Sequence, residues 1–288
     1  MCILVDENTR VIVQGITGTV GSFQTKVMLD YGTKVVAGVT PGKGGQEVHG
    51  IPVYDLVEEA VEENQGDTAI LFVPGPFASD AALEAIEAGV RLIVVTAEGV
   101  PTSDVMRMMK SAAERGVSII GPDTAGLISP GKSKVGVHPH KLFSEGSIGV
   151  VSKSGALSYE VSKALSDAGI GQSTVLGIGG GPMWGLTQID AIELFEVDSE
   201  TQGVVLLGEI GGTMEVEAAE YIRENITKPV IALIVGRYAP EGERMGHAGA
   251  IIENGRGTAK EKIKALESAG VHVVRGPRDI PPYIKEVL

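Results

Sequence analysis

The feature that most limits the fold of this chain is an alternation of short apolar runs with longer amphipathic stretches, interrupted once. In the first half the apolar runs fall at 10–14, 34–39, 68–73, 92–96 and 117–120. Helical patterns separate them at about 22–31, 56–64, 78–88 and 103–115, the last closed by Gly116 where a left-handed cap would stand. The second half repeats the pattern, with strands expected at 147–151, 172–176, 203–207, 229–235 and 271–274. Its helices are expected at 156–168, 186–195, 216–225, 258–269 and 280–288. Strands separated by helices of about ten residues build βαβ units, and those build parallel sheets. The interruption, 122–146, is rich in Gly, Pro, Ser and Lys and has no period. The expectation is therefore an α/β chain in three parts: a first domain at 1–125, a linker with some extended structure at 126–146, and a five-stranded, flavodoxin-like doubly wound domain at 147–288. A length of 288 residues suits two such domains.

Charge narrows the partners. The chain carries 24 basic and 37 acidic residues, a net −13, which argues against a nucleic-acid or membrane surface. It leaves room for a local basic pocket around a phosphorylated ligand. No apolar run is long enough to cross a bilayer, and Met1 to Glu7 lack the basic-then-apolar order of a signal peptide. The single cysteine, Cys2, rules out an internal disulfide or a cysteine metal site and points to a reducing, cytoplasmic setting. No metal-ligand cluster is evident; His138-Pro-His140 has no third ligand in view.

Open α/β sheets place their chemistry beyond the carboxyl ends of the strands. After the first strand come Gly15, Thr17, Gly18, Thr19 and Val20, leading through Gly21 into a helix. Glycines here let backbone approach a phosphate, and the helix start supplies N–H donors. A tight turn without a ligand would use the same glycines. After the second strand an NAD site wants a carboxylate. This chain instead has Lys43 in a glycine loop, which suits an extra ribose phosphate and leaves NADP or coenzyme A open. Val73 and Pro74, with Thr96 and Glu98 after the next strand, stand on the same edge and can wall an adenine slot or simply stiffen loops.

In the second half the corresponding edge collects three loops. Ser152-Lys-Ser154-Gly155 leads into a helix and reads as a phosphate cradle of two hydroxyls, a cation and a helix start, or as an ordinary serine cap. Glu209 follows a buried strand between glycines. His247 stands in Gly242-Glu-Arg-Met-Gly-His-Ala-Gly-Ala-Ile-Ile252, with little bulk around it. A glutamate accepting Nδ1–H would fix the tautomer and leave Nε2 as nucleophile. With a phosphate cradle alongside, the concrete expectation is a phosphohistidine at His247, oriented by Glu209. No triphosphate-binding lysine motif is present, so the nucleotide site is expected on a partner chain. Trp184 is expected to pack rather than to bind.

Gly15-Ile-Thr-Gly18, Thr40-Pro-Gly-Lys-Gly-Gly45, Gly208-Glu-Ile-Gly-Gly212 and Arg244-Met-Gly-His-Ala-Gly-Ala-Ile-Ile252 resemble, in order and over nearly the whole chain, the α subunits of the succinate–CoA ligase family. The resemblance implies a Rossmann-like CoA-binding domain followed by a ligase domain with a phosphorylated histidine. It implies an ATP-grasp β subunit, in a heterodimer or heterotetramer, that supplies ATP or GTP with Mg²⁺ and much of the site for a small carboxylic acid. The implied reaction joins succinate, or another acid such as malate, to CoA at the expense of a nucleoside triphosphate. By position Thr17, Val20 and Lys43 would touch CoA, and Ser152 and Ser154 the phosphate. Three departures stand out. The family usually has Gly-Pro-Asn where this chain has Gly121-Pro-Asp123, Gly-Gly-Asp-Pro where it has Gly180-Gly-Pro182, and arginine where it has Lys153. An NADP-dependent oxidoreductase would explain Lys43 but leaves Glu209 and His247 idle. A non-catalytic CoA-binding module would not need the histidine loop.

Overall fold

Branched apolar residues fill the runs read as strands, and in the computed structural model, which describes residues 3–288, those runs pair into two sheets. Cys2 lies outside the described residues. The first half contains β1 (Arg10–Gln14), α1 (Thr19–Tyr31), β2 (Lys34–Val39), β3 (Glu47–Val48), β4 (Ile51–Tyr54) and α2 (Val57–Asn64). It continues with β5 (Thr68–Leu71), α3 (Gly75–Glu87), β6 (Leu92–Val95), α4 (Thr102–Arg115) and β7 (Ser118–Ile120). Its sheet runs β3-β4-β2-β1-β5-β6-β7. Apart from the short antiparallel β3, every neighbour is parallel. The parallel strands thus follow the doubly wound order of dinucleotide-binding domains.

The remainder contains β8 (Gly126–Ser129), β9 (Ser133–Gly136), β10 (Glu145–Ser152), α5 (Gly155–Asp167), β11 (Gln172–Gly177), α6 (Gln188–Val197) and β12 (Gly203–Gly208). It ends with α7 (Met214–Asn225), β13 (Val230–Ile234), α8 (Ala259–Ser268), β14 (His272–Val274) and α9 (Ile280–Val287). This sheet runs β14-β13-β12-β10-β11-β8-β9. Strands β10 to β14 are parallel, and their order is the flavodoxin-like one.

Two expectations change. Segment 126–146 is not simply a linker: β8 and β9 form a hairpin that pairs antiparallel with β11, so the second sheet has seven strands rather than five. The reason is burial, since Leu127, Ile128 and Val135 are fully covered despite the Gly/Ser/Lys-rich texture around them. In the first half, β3 and β4 form a hairpin that extends the sheet beyond β2.

The cores hold the strand ends in place. Val204, Val205, Leu206 and Leu207 of β12 are at most 1% exposed. Each such side chain contributes about 1.5–3 kcal/mol relative to exposure. Register is therefore firm where the chain leaves β12 toward Glu209. The carboxyl edges of the two sheets meet through backbone: Gly185 N–H donates to Gly121 O at 2.9 Å and Leu186 N–H to Ile119 O at 2.7 Å.

Candidate active site

In a doubly wound sheet the ligand crevice opens where successive connections leave on opposite faces. In the first sheet that point lies between β1 and β5, and the loops flanking it hold Gly15 and Val73-Pro74. Together with Thr40, Pro41 and Phe77 they line a cavity of about 340 Å³. Gly15 has φ +78°, and a Cβ there would lie 2.5 Å from the Phe72 carbonyl oxygen, so no other residue fits without moving the β5 loop. Helix α1 begins at Thr19, three residues before the expected start, which puts Thr19 and Val20 in its first turn. Thr17 lies outside the cavity wall and is tied to Thr40, which is part of it, by a 3.2 Å hydroxyl contact. Lys43 is exposed in its glycine loop and lies outside the cavity wall. The Thr96 hydroxyl donates to Leu71 O at 2.7 Å, so it ties β6 to β5 rather than facing the cavity. The Glu98 carbonyl presses against Gly75, where a Cβ would lie 2.6 Å away.

In the second sheet the crevice lies between β10 and β12, and the Ser152–Gly155 loop and Glu209 flank it. Next along the edge, the loop after β13 carries His247. That loop closes on itself: Gly242 N–H donates to Ile252 O and Met245 N–H to Ala250 O, both at 2.9 Å. His247 Nδ1 lies 2.8 Å from Glu209 Oε2, and the ring is 28% exposed. The hydrogen bond to Glu209 raises the imidazole pKa above the ordinary histidine value; burial opposes this, Asp123 adds to it and Lys153 opposes it. Gly180 packs flat against the ring, and a Cβ there would lie 2.6 Å from Cγ and Cδ2.

The serine loop is an organised turn. Ser152 is fully buried; its hydroxyl donates to Ser154 O at 2.7 Å and accepts from Ser154 N–H at 3.0 Å. Ser154 caps α5 by accepting from Leu157 N–H at 3.3 Å, which leaves its own O–H proton available. The cation expected in this cradle is turned away. Lys153 is 4% exposed, pairs with Glu215 at 2.9 Å and sits 5.0 Å over the Trp184 ring. A buried ammonium seeks a carboxylate, and Glu215 lies beneath it. Trp184 packs as expected, with its indole N–H donating to Gly179 O at 2.8 Å.

Two charged residues escaped the sequence reading. Lys262 of α8 is fully buried and donates to Glu209 O at 2.7 Å, to Gly211 O at 2.5 Å and to the carboxylate of Glu215. Three acceptors match the three protons of an ammonium. Glu215, also fully buried, accepts from Glu209 N–H at 3.2 Å. The Glu209 backbone is thus gripped at both its N–H and its carbonyl. The available signal was a charge on an apolar stripe, since Lys262 lies three residues after buried Ala259 and four before buried Leu266. His138 is buried between Phe143 and Tyr159, and burial pushes its pKa down to about 3. Among the described residues no group of three or more His, Cys, Asp or Glu side chains could hold a metal.

Comparison with known proteins supplies the family. A CoA binding domain model matches residues 6–99 and a CoA-ligase model matches 151–272. Subunit alpha 1 of the ADP-forming succinate–CoA ligase of Archaeoglobus fulgidus is 57% identical over 288 residues, covering 100% of this chain and 99% of that one. The chain belongs to the succinate–CoA ligase alpha-subunit family. The corresponding subunit of Aquifex aeolicus is 51% identical over 292 residues, covering 100% of this chain and 95% of that one. Among solved structures, a mutant of Methanosaeta concilii ATP citrate lyase in complex with (3S)-citryl-CoA superposes with a TM-score of 0.89 at 26% identity. That match covers 99% of this chain and 52% of the other, so the chain spans about half the length of that lyase. Family membership makes the succinate–CoA ligase alpha chain a CoA-binding ligase subunit with a β partner. It gives no support to an NADP-dependent oxidoreductase. Among the described residues no helix is long and apolar enough to cross a membrane.

Proposed function

We propose that this chain is the subunit that carries the phosphoryl group in an ADP-forming succinate–CoA ligase, with His247 as the carrier. The observation that supports this most is the 2.8 Å contact of His247 Nδ1 with Glu209, which flanks the same sheet crevice as the first turn of α5. Glu209 accepts Nδ1–H, so Nε2 keeps its lone pair for the γ-phosphoryl group of ATP held by the β partner. As the ring becomes cationic, Glu209 stabilises it. The Ser154 hydroxyl and the N–H groups at the start of α5 then receive the phosphoryl oxygens. Ser152 serves by holding the turn in shape.

CoA, a substrate of this reaction, fits the first crevice: glycine backbone for close approach, apolar walls for adenine, and Lys43 outside for a ribose phosphate. The site residues there are Gly15, Thr17, Gly18, Thr19, Val20, Lys43, Val73 and Pro74, with Thr96 and Glu98 as support. Succinate is the acid that family membership favours over malate. The β partner is of the ATP-grasp type and holds the nucleotide with Mg²⁺.

The test is to combine the chain with its β partner and labelled ATP and look for an acid-labile, base-stable phosphoryl group. Label should appear on the wild-type chain and vanish in His247→Asn. Label that survives that substitution would refute the carrier role. Thioester detection with a panel of dicarboxylic acids then ranks succinate against malate.

A further inference from the structure

Asp123 sits where the two halves of the molecule touch. Its N–H donates to Ala97 O at 2.9 Å, on the loop that follows β6 of the CoA-binding sheet. Its carbonyl accepts from Gly180 N–H at 3.2 Å, and Gly180 is the residue packed against the His247 ring. A single residue therefore bridges the CoA half and the histidine half. Its backbone has φ 58°, a left-handed conformation that Asp and Asn adopt more readily than most residues. From the cavity at β1 and β5, the carboxyl edge of the sheet passes β6 and β7 before reaching Asp123. Two interstrand steps from β5 to β7 are about 10 Å. A CoA molecule with its adenine end in the cavity must lay its arm along this edge to bring its thiol to His247, and Asp123 stands at the end of that path.

We propose that Asp123 is the general base for the thiol of CoA. This rests on the ligase reading above. As sulfur attacks the acyl carbon of the acyl phosphate, the Asp123 carboxylate takes the S–H proton. The carbon–sulfur bond forms, the carbon–oxygen bond to phosphate breaks, and phosphate leaves with the electron pair into the turn at Ser154. Asp123 returns its proton to water before the next cycle. The surroundings suit a base. Burial pushes the carboxyl pKa up, Glu98 on the β6 loop and Glu209 beyond Gly180 push the same way, and His247 opposes them. A carboxylate whose pKa is raised toward the working pH accepts a proton more readily than an exposed aspartate.

The experiment uses the complete complex of this chain with its β partner and compares wild type with Asp123→Asn, which keeps the shape and tolerates the same φ. Three quantities are read: label on His247 from ATP, CoA affinity, and thioester formation from pre-labelled complex as a function of pH. The expected result is full label above the His247 midpoint, which moves down slightly because Asp123 no longer helps to hold the ring proton, and CoA affinity within about twofold, with thioester formation slower by about 10²-fold. Wild type should show a rising limb as the Asp123 carboxylate forms. The variant should lose that limb and gain rate only as the thiol itself ionises, near pH 8.5 for an unperturbed thiol. Thioester formation within twofold of wild type, with the same limb, would overturn the proposal. Failure of the ligase reading would look different, as no label on the wild-type chain and no thioester from either protein, and the role of Asp123 would fall with it.

Discussion

His247 Nδ1 and Glu209 Oε2 are 2.8 Å apart, and the Glu209 backbone that sets this contact is held from below by Lys262 and Glu215. The geometry of the imidazole is thus inherited from a buried ion cluster it does not touch.

Replacing Glu209 with Gln removes the charge that raises the His247 pKa. In wild type, phosphorylation of His247 should rise with pH as the ring loses its proton, with a midpoint above the ordinary histidine value of about 6.5. In Glu209→Gln that midpoint should move down, and the maximal labelling rate should fall by about 10²-fold or more as the cationic ring loses its stabiliser. Single-turnover labelling across pH 5 to 9 reads both effects. A midpoint that stays put would show that Glu209 does not control the titration.

Gly180→Ala puts a methyl group where the ring lies, 2.6 Å from its carbons. His247 must shift. Labelling should drop at least tenfold, while CoA affinity, measured by calorimetry, stays the same. Because the histidine loop is largely exposed, thermal stability should change little.

Lys262→Met leaves two carbonyls and one side of the Glu215 carboxylate without their donor. Breaking a buried pair this way costs about 3–5 kcal/mol. Denaturant titration should show the loss, and the double variant with Glu215→Gln should be less destabilised than the two single effects added together.

Lys134 offers the opposite case. Its side chain is fully buried, its Nζ has no hydrogen-bond partner, and burial lowers its pKa from 10.5 to about 8. The unfolded chain binds this proton more tightly than the folded one. The folded state therefore bears a penalty that is complete below pH 8 and is relieved between about pH 8 and 10.5. Lys134→Met should raise stability at pH 7 by an amount on the order of 3 kcal/mol, with the advantage shrinking as the pH climbs. Melts at pH 7 and pH 10 check the sign.

Lys43→Ala should weaken CoA about tenfold and dephospho-CoA hardly at all, if the ribose phosphate is its target. Equal loss for both ligands would place the lysine elsewhere.

The alternation of strand and helix was readable because Val, Ile and Leu runs such as 203–207 have no other use. The Glu209–His247 pairing was readable because two polar residues in glycine loops fall on one sheet edge. The β8–β9 hairpin was not, because its short strands contain Gly, Ser and Lys, residues that read as loop until β11 covers them. The role of Lys153 was misjudged for a related reason. Sequence places it beside a helix start but does not reveal that Glu215 waits beneath it. Lys262 was hidden by its charge, since a lysine on an apolar helix face is easily passed over as surface.

Lys153 and Lys262 share one carboxylate, Glu215, and the Glu209 carboxylate stands beside them, so the charges behind the histidine balance out of reach of solvent. Mobile ions screen what they can approach, and they cannot approach this. Added salt should therefore weaken the encounter with CoA at exposed Lys43 while leaving phosphoryl transfer at His247 nearly untouched. In a chain of net charge −13, the charge pairs that hold Glu209 against His247 are built where the ionic strength of the medium does not enter.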